Sequence, residues 1–337
     1  MKKNKNIAAF YLKCLALATP FILLIIIYMV KDPFMVVRNY HDYDHDPVCQ
    51  NEGEVSWMKY KEYRHQMHYD SFIIGASCTK AFPCNIWNKY IHAHPYRMYS
   101  NSVGLGDLSM MLEALNEQSG QPIKHLLIIT EVPMFANDAP KNDFMHIMPP
   151  DVSHKSLITY QTTFLQGFFT PKFLIPYIKY LIAGKFTEQE RGIINDYVPE
   201  CTRYTNDAIL PQEKRISQCG ENYWRQKFWQ KAMDRHYRPT LEPPMISSIQ
   251  IHNFRMIKSI CQRHHTDLKL VISPNFKEQM MNPKDLAILH SIFGPNVVYN
   301  YADRKHLRMD NYHNFYDPYH YRISVGREIM REIYHQR

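Results

Sequence analysis

Glycine is scarce in this 337-residue chain, 11 against 24 tyrosines, and no segment repeats another. Those two absences exclude a low-complexity or solenoid architecture. The seven cysteines form no C-x-x-C pair, so a zinc ribbon or thioredoxin-like motif has no ligands to build on. His92/His94 and His264/His265 lack the i,i+4 register in which a helix presents two imidazoles to zinc. A metallohydrolase is a weak reading, those histidines are read as solvated surface groups, and neither a metal nor a cofactor is expected. Acidic residues are missing before Asp32, and Lys2, Lys3, Lys5 and Lys13 supply half of the formal charge of +8. The remaining positive charge is spread thinly, with no basic helix or arginine stripe, which argues against nucleic acid as a partner.

What is present is apolar. Hydrophobic residues make up 45% and aromatic residues 13% of the chain, enough core for one elaborate α/β domain carrying an insertion. The amino terminus is a cationic start followed by an apolar run from Cys14 to Val30. With Ile7 to Leu12 added, and Lys13 snorkelling, that run can cross a hydrocarbon core of about 30 Å. Ala16-Leu17-Ala18 resembles a signal-peptidase site, but "FILLIIIYMV" follows it, whereas cleavage should end the apolar run. A retained anchor over residues 1–31 is expected. Lysines before the span favour a cytoplasmic amino terminus and an exported body. In an oxidising compartment the six cysteines outside the span can pair, and Cys201 with Cys219, which bracket a polar loop, is the favoured bridge.

Residues 32–68 read as a polar, membrane-proximal lead-in. From residue 69 onward short apolar runs alternate with helical stretches. "SFIIGA" (71–76), "YRMYSN" (96–101), "HLLIITEV" (125–132), "LKLVIS" (268–273) and "NVVYNY" (296–301) read as strands. Helix or turn is expected over 80–92, and helices at "GDLSMMLEALNEQ", with Asp107 or Ser109 as its cap, over 248–264 and over 283–293. Five strands alternating with helices predict a parallel sheet in a three-layer α/β/α domain over 69–337. Residues 136–247 are too long for one crossover and read as a helical insertion over the sheet rim. Its aromatic residues suit a small core of its own, a substrate groove or a surface on lipid.

Ligands gather at the carboxyl ends of parallel strands, and Ser77 stands at the end of the first. Near the other terminus, Asp317 and His320 are separated by Pro318-Tyr319, a spacer that favours a tight turn, just before an amphipathic helix carrying Val325, Ile329 and Ile333. Serine, histidine and acid are the parts that nucleophilic acyl transfer requires. Histidine must take the hydroxyl proton, and the acid must fix the histidine tautomer. Cys78 is the less favoured nucleophile.

Gly75-Ala76-Ser77, then Asn101 through Gly106-Asp107-Leu108-Ser109, then Asp317 to His320 together resemble the SGNH/GDSL hydrolase superfamily. The resemblance implies a flavodoxin-like five-stranded sheet, a Ser77–His320–Asp317 triad, and an oxyanion hole built from the N–H groups of Ser77 and Gly106. The family's third block, a G-x-N-D, falls at "ITEVPMF", where Thr130 and Glu131 stand and asparagine is absent. With Asn101 these two are additional pocket candidates. The anchor, "KDPFMVVRNYHDY" and "FYDPYHYRISVGREIM" are similar to a group of membrane-anchored, exported SGNH-like proteins of Gram-negative bacteria, whose relatives serve in polysaccharide O-acylation and cell-wall D-alanylation. The implied function is an esterase or O-acyltransferase in the periplasm, anchored in the inner membrane by a single pass. It would act on acyl esters of a cell-envelope glycan or related polymer, with a membrane acyl-transfer partner possible. The alternative is a non-catalytic glycan-binding or assembly protein on the same scaffold.

Overall fold

The computed structural model describes residues 2–44, 47–136, 138–185, 187, 190–195 and 200–335. The chain begins with α1 (Lys2–Lys31), of which Ala9–Lys31 is long and apolar enough to cross a membrane. Then come α2 (Glu52–Met67), β1 (Ser71–Gly75), α3 (Cys84–Ile91), β2 (Pro95–Tyr99), α4 (Leu105–Glu117) and β3 (His125–Thr130). The insertion carries α5 (Pro150–Ser153), α6 (Leu157–Phe169), α7 (Pro171–Ala183), α8 (Pro211–Cys219), α9 (Lys227–Met233) and β4 (Thr240–Leu241). The last part holds α10 (Ser248–His264), β5 (Asp267–Ile272), β6 (Gln279–Met280), α11 (Pro283–Phe293), β7 (Val298–Asn300), β8 (Phe315–Asp317), β9 (His320–Tyr321) and α12 (Ile323–His335).

Five strands form one parallel sheet in the order β2-β1-β3-β5-β7. Consecutive residues Phe72, Ile73 and Ile74 of β1 are all buried, as are Leu126 to Ile129 of β3. Successive strand side chains point to opposite faces, so unbroken burial means that both faces are covered. The helices that cover them pack in sets. α4 meets α10 through Asn116 with Arg263 and His264, α10 meets α11 through Phe254 and Phe293, and Trp87 of α3 donates to the Tyr334 hydroxyl of α12 at 2.8 Å.

The connection leaving β1 runs to β2 on one side, and the connection leaving β3 runs to β5 on the other. The chain thus reverses its direction across the sheet between β1 and β3, which opens a crevice at their carboxyl ends.

Three expectations change. The lead-in holds a 16-residue helix, α2, which belongs to the α/β body: Ser56 accepts from the Tyr96 hydroxyl through its carbonyl at 2.6 Å and from the Tyr99 amide through its Oγ at 3.1 Å. The helix α4 begins from Gly104, and Asp107 caps it from inside the first turn by accepting the Gly104 N–H at 3.0 Å, with Ser109 buried further along. Cys201 and Cys219 are not bridged. The Cys201 sulfur is buried against the Arg97 guanidinium, 3.3 Å away, whereas Cys219 is exposed at the end of α8.

Candidate active site

Beyond Gly75 the chain turns into a single 3-10 turn, Ser77–Ala81, which lifts Ser77 to the rim of the sheet. Two features fix that turn. The Thr79 hydroxyl donates to the Ala76 carbonyl at 2.8 Å and accepts from the fully buried Arg97 at 3.3 Å. From the other side α12 lies directly on it: a Cβ on Gly326 would stand 2.0 Å from the Ala81 carbonyl oxygen. Only glycine permits an approach this close, and it seats the helix that follows His320 on the turn that carries Ser77.

His320 reaches Ser77 from a two-residue hairpin. Asp317 pairs with His320 across β8 and β9, and Pro318-Tyr319 forms the loop. The Asp317 carboxylate accepts the backbone N–H groups of Tyr319 at 2.8 Å and His320 at 3.1 Å. The same carboxylate lies 2.8 and 3.0 Å from His320 Nδ1. That contact places the Nδ1 proton toward Asp317 and leaves Nε2 to accept. Nε2 lies 3.0 Å from Ser77 Oγ, within the reach a general base requires. Burial alone would raise the Asp317 carboxyl. The hydrogen bond and charge of His320, with the two amides, outweigh it and hold Asp317 below the usual carboxylate range, so it stays ionised behind the imidazole.

Ser77 and His320 open into a cleft of about 530 Å³. Phe276, Tyr319 and Met134 give it apolar walls, while Glu131, Lys141, Asn275 and Lys277 supply polar groups. A second cleft, of about 480 Å³ and bordered by Lys80, Gln212 and Arg215, also reaches Asp317 and His320.

Glu131 is the distinctive member. Gly75 of β1 and Ile129 of β3 are register partners, and the chain beyond each strand end brings Ser77 and Glu131 to the lining of the same cleft. Burial pushes the Glu131 carboxyl up to about 7, against the pull of His320 and Lys277 and with a smaller push from Asp317. Near neutrality it is therefore a weak acid able to donate a hydrogen bond, a role that an ordinary carboxylate cannot take.

The other expected residues are placed differently. Thr130 is fully buried and spends its hydroxyl on the Val271 carbonyl at 2.8 Å. Asn101 is half-buried in the turn after β2, where Ser102 and Val103 line the cleft instead. Gly106 is buried in the first turn of α4, and a Cβ there would lie 2.1 Å from the Asp138 carbonyl. The glycine thus lets the insertion close over it. Asp107 completes this contact by accepting the Lys141 N–H at 3.0 Å, which holds Lys141 at the cleft. Cys78 is buried, its thiol raised by desolvation and by the nearby Glu131, and it does not line the cleft. Among the described residues no cluster of three or more histidine, cysteine or acidic side chains is arranged to hold a metal ion.

Asn275, Phe276 and Lys277 were not singled out from sequence. Their position just past the carboxyl end of β5 is the signal that identifies them. Lys141 carries no such signal, because it comes from the insertion. No protein-family model matches this chain, and no curated protein matches it.

Proposed function

We propose that this protein is a serine esterase or O-acyltransferase of SGNH type, anchored in a membrane by α1 and acting on the acyl esters of a cell-envelope glycan or related polymer on the exported side. One observation carries the reading: Ser77 Oγ lies 3.0 Å from His320 Nε2, with Asp317 on the far nitrogen, at the mouth of a cleft large enough for an acyl group and part of a sugar. The sheet order and the strand-end position of Ser77 support the SGNH assignment.

In this reading His320 Nε2 removes the Ser77 proton as Oγ attacks the acyl carbonyl. The resulting oxyanion is met by the Ser77 N–H and the neutral Glu131 carboxyl, the latter standing in for the asparagine of related enzymes. Collapse breaks the ester C–O bond, and the departing alcohol takes the proton from His320. Water, or a glycan hydroxyl deprotonated by the same histidine, then attacks the acyl-serine and restores the enzyme.

The experiment is turnover of an activated acetate ester by the purified full chain. Ser77→Ala and His320→Ala should each lose turnover by about 10³-fold or more. Unchanged rates in both would overturn the proposal and favour a binding role for the cleft.

A further inference from the structure

The last turns of α1 do not stand alone. Leu24 and Ile27 pack against, and Tyr28 belongs to, an aromatic cluster formed by Phe34 with Phe164 and Phe168 of α6 and Phe173 and Tyr177 of α7. The Tyr28 and Phe168 rings are 5.3 Å apart, and those of Phe34 and Phe173 are 4.6 Å apart. Leu24 lies seven residues before the end of α1 at Lys31, about 10 Å along the axis at 1.5 Å per residue. If α1 spans a bilayer, whatever touches Leu24 and Ile27 lies at the depth of the outer acyl chains, because the apolar core is about 30 Å thick.

The two helices are built for that depth. Residues 155–185 contain no aspartate or glutamate, and α6 carries no charged residue. Their outer faces leave Ile158 76%, Ile182 83%, Leu157 62% and Ile175 55% exposed. Lys155, Lys172, Lys179 and Lys185 are the only charges in this stretch. An apolar face among lysines, with no acid to repel anionic headgroups, has the composition of a helix lying in a membrane interface.

We propose that the α6–α7 hairpin is a second membrane contact, embedded in the outer leaflet beside α1 with its exposed isoleucines among the acyl chains. The cleft would then be held at a fixed attitude close to the lipid surface rather than swinging on a single helix. This inference rests on α1 crossing a bilayer and not on the catalytic reading.

The test uses the full chain with Cys14, Cys49 and Cys219 replaced by serine and one cysteine introduced by Ile158→Cys, Ile182→Cys, Ile22→Cys or Ile249→Cys. Each is labelled with an environment-sensitive fluorophore and reconstituted in vesicles of phosphatidylethanolamine and phosphatidylglycerol, with and without brominated acyl chains. Ile22 in α1 is the reference for lipid, and Ile249, 54% exposed at the start of α10, is the reference for water. Bromolipid should quench labels at positions 158 and 182 several-fold more than the label at 249, and nearly as strongly as that at 22. Quenching at both hairpin positions no greater than at 249 would overturn the proposal. So would shielding that depends on protein density rather than bromine, which would make the cover a second copy of the chain. Absence of quenching at 22 would remove its premise.

Discussion

Replacing Glu131 by glutamine separates two readings of the cleft. With its carboxyl raised to about 7, Glu131 is mostly neutral at pH 6 and mostly ionised at pH 8. If the neutral form donates to the oxyanion, wild-type kcat/KM falls on the alkaline side. At pH 8 only about one tenth of the molecules keep the donor, a loss of about tenfold, growing toward the 10²–10³-fold that one oxyanion donor is worth. Glu131→Gln keeps a permanent N–H donor of the same length, so its rate should stay flat from pH 7 to 9. Glu131→Ala should lose about 10²–10³-fold at pH 6, where the wild type has its donor. Glu131 shares the cleft with His320 from the β8–β9 hairpin, Lys277 after β5 and Lys141 from the insertion, and Asp317 acts on it from behind His320. The same substitution has a second readout that does not depend on catalysis. The folded state holds the Glu131 proton up to about 7, well above the range of an exposed carboxylate, so the native form binds more protons than the unfolded chain over that interval and stability falls as pH rises through it. At pH 8 glutamine should remove a penalty of up to about 3 kcal/mol. An alkaline limb in Glu131→Gln identical to that of the wild type, with no gain in stability at pH 8, would refute the reasoning.

Other outcomes follow from the same geometry. Gly326→Ala places a methyl group 2.0 Å from the Ala81 carbonyl, so α12 must shift off the serine turn. Esterase kcat should fall more than tenfold with a stability loss of about 1–3 kcal/mol by chemical denaturation. Asp317→Asn leaves the hairpin in place but frees the imidazole to take the wrong tautomer, and a loss on the order of 10⁴ in kcat with little change in KM is expected from steady-state kinetics. Arg97→Met strands the Asn206 carbonyl, which now accepts from the guanidinium at 2.8 Å, and should cost about 1–3 kcal/mol in thermal or denaturant unfolding. Asp310 at about 8 is, like Glu131, raised chiefly by burial. The native state therefore retains protons that the unfolded chain has released, and unfolding free energy should decline from pH 5 to pH 8.

The sheet strands were legible because the central ones, β1, β3 and β5, are short apolar runs, and their alternation with helices prescribes a parallel sheet. α2 was not, because its buried side includes Glu54, Ser56 and Lys59. Each polar group there is answered by a distant partner, as when Lys59 meets Asp44 at 2.7 Å and the Thr202 carbonyl at 2.8 Å, so no apolar period marks the helix. The Ser77–His320–Asp317 contact could be read because Asp317 and His320 are local to one hairpin and Ser77 follows a strand end. Lys141 could not, since its place depends on Asp107 holding the insertion against α4. The Cys201–Cys219 expectation failed because sequence shows spacing and not that Arg97 and Tyr99 take up the Cys201 sulfur. Glu131 was legible as a pocket candidate because it follows β3 directly, and it lines the cleft with Ser77.

The central claim is that Ser77 is the nucleophile, and covalent trapping tests it most directly. The full chain is treated with a fluorophosphonate, digested, and mapped by mass spectrometry, with His320→Ala treated in parallel. A single adduct on Ser77, formed far more slowly in His320→Ala, is the predicted result. An adduct on another residue, or none on Ser77 in a folded protein, would contradict it.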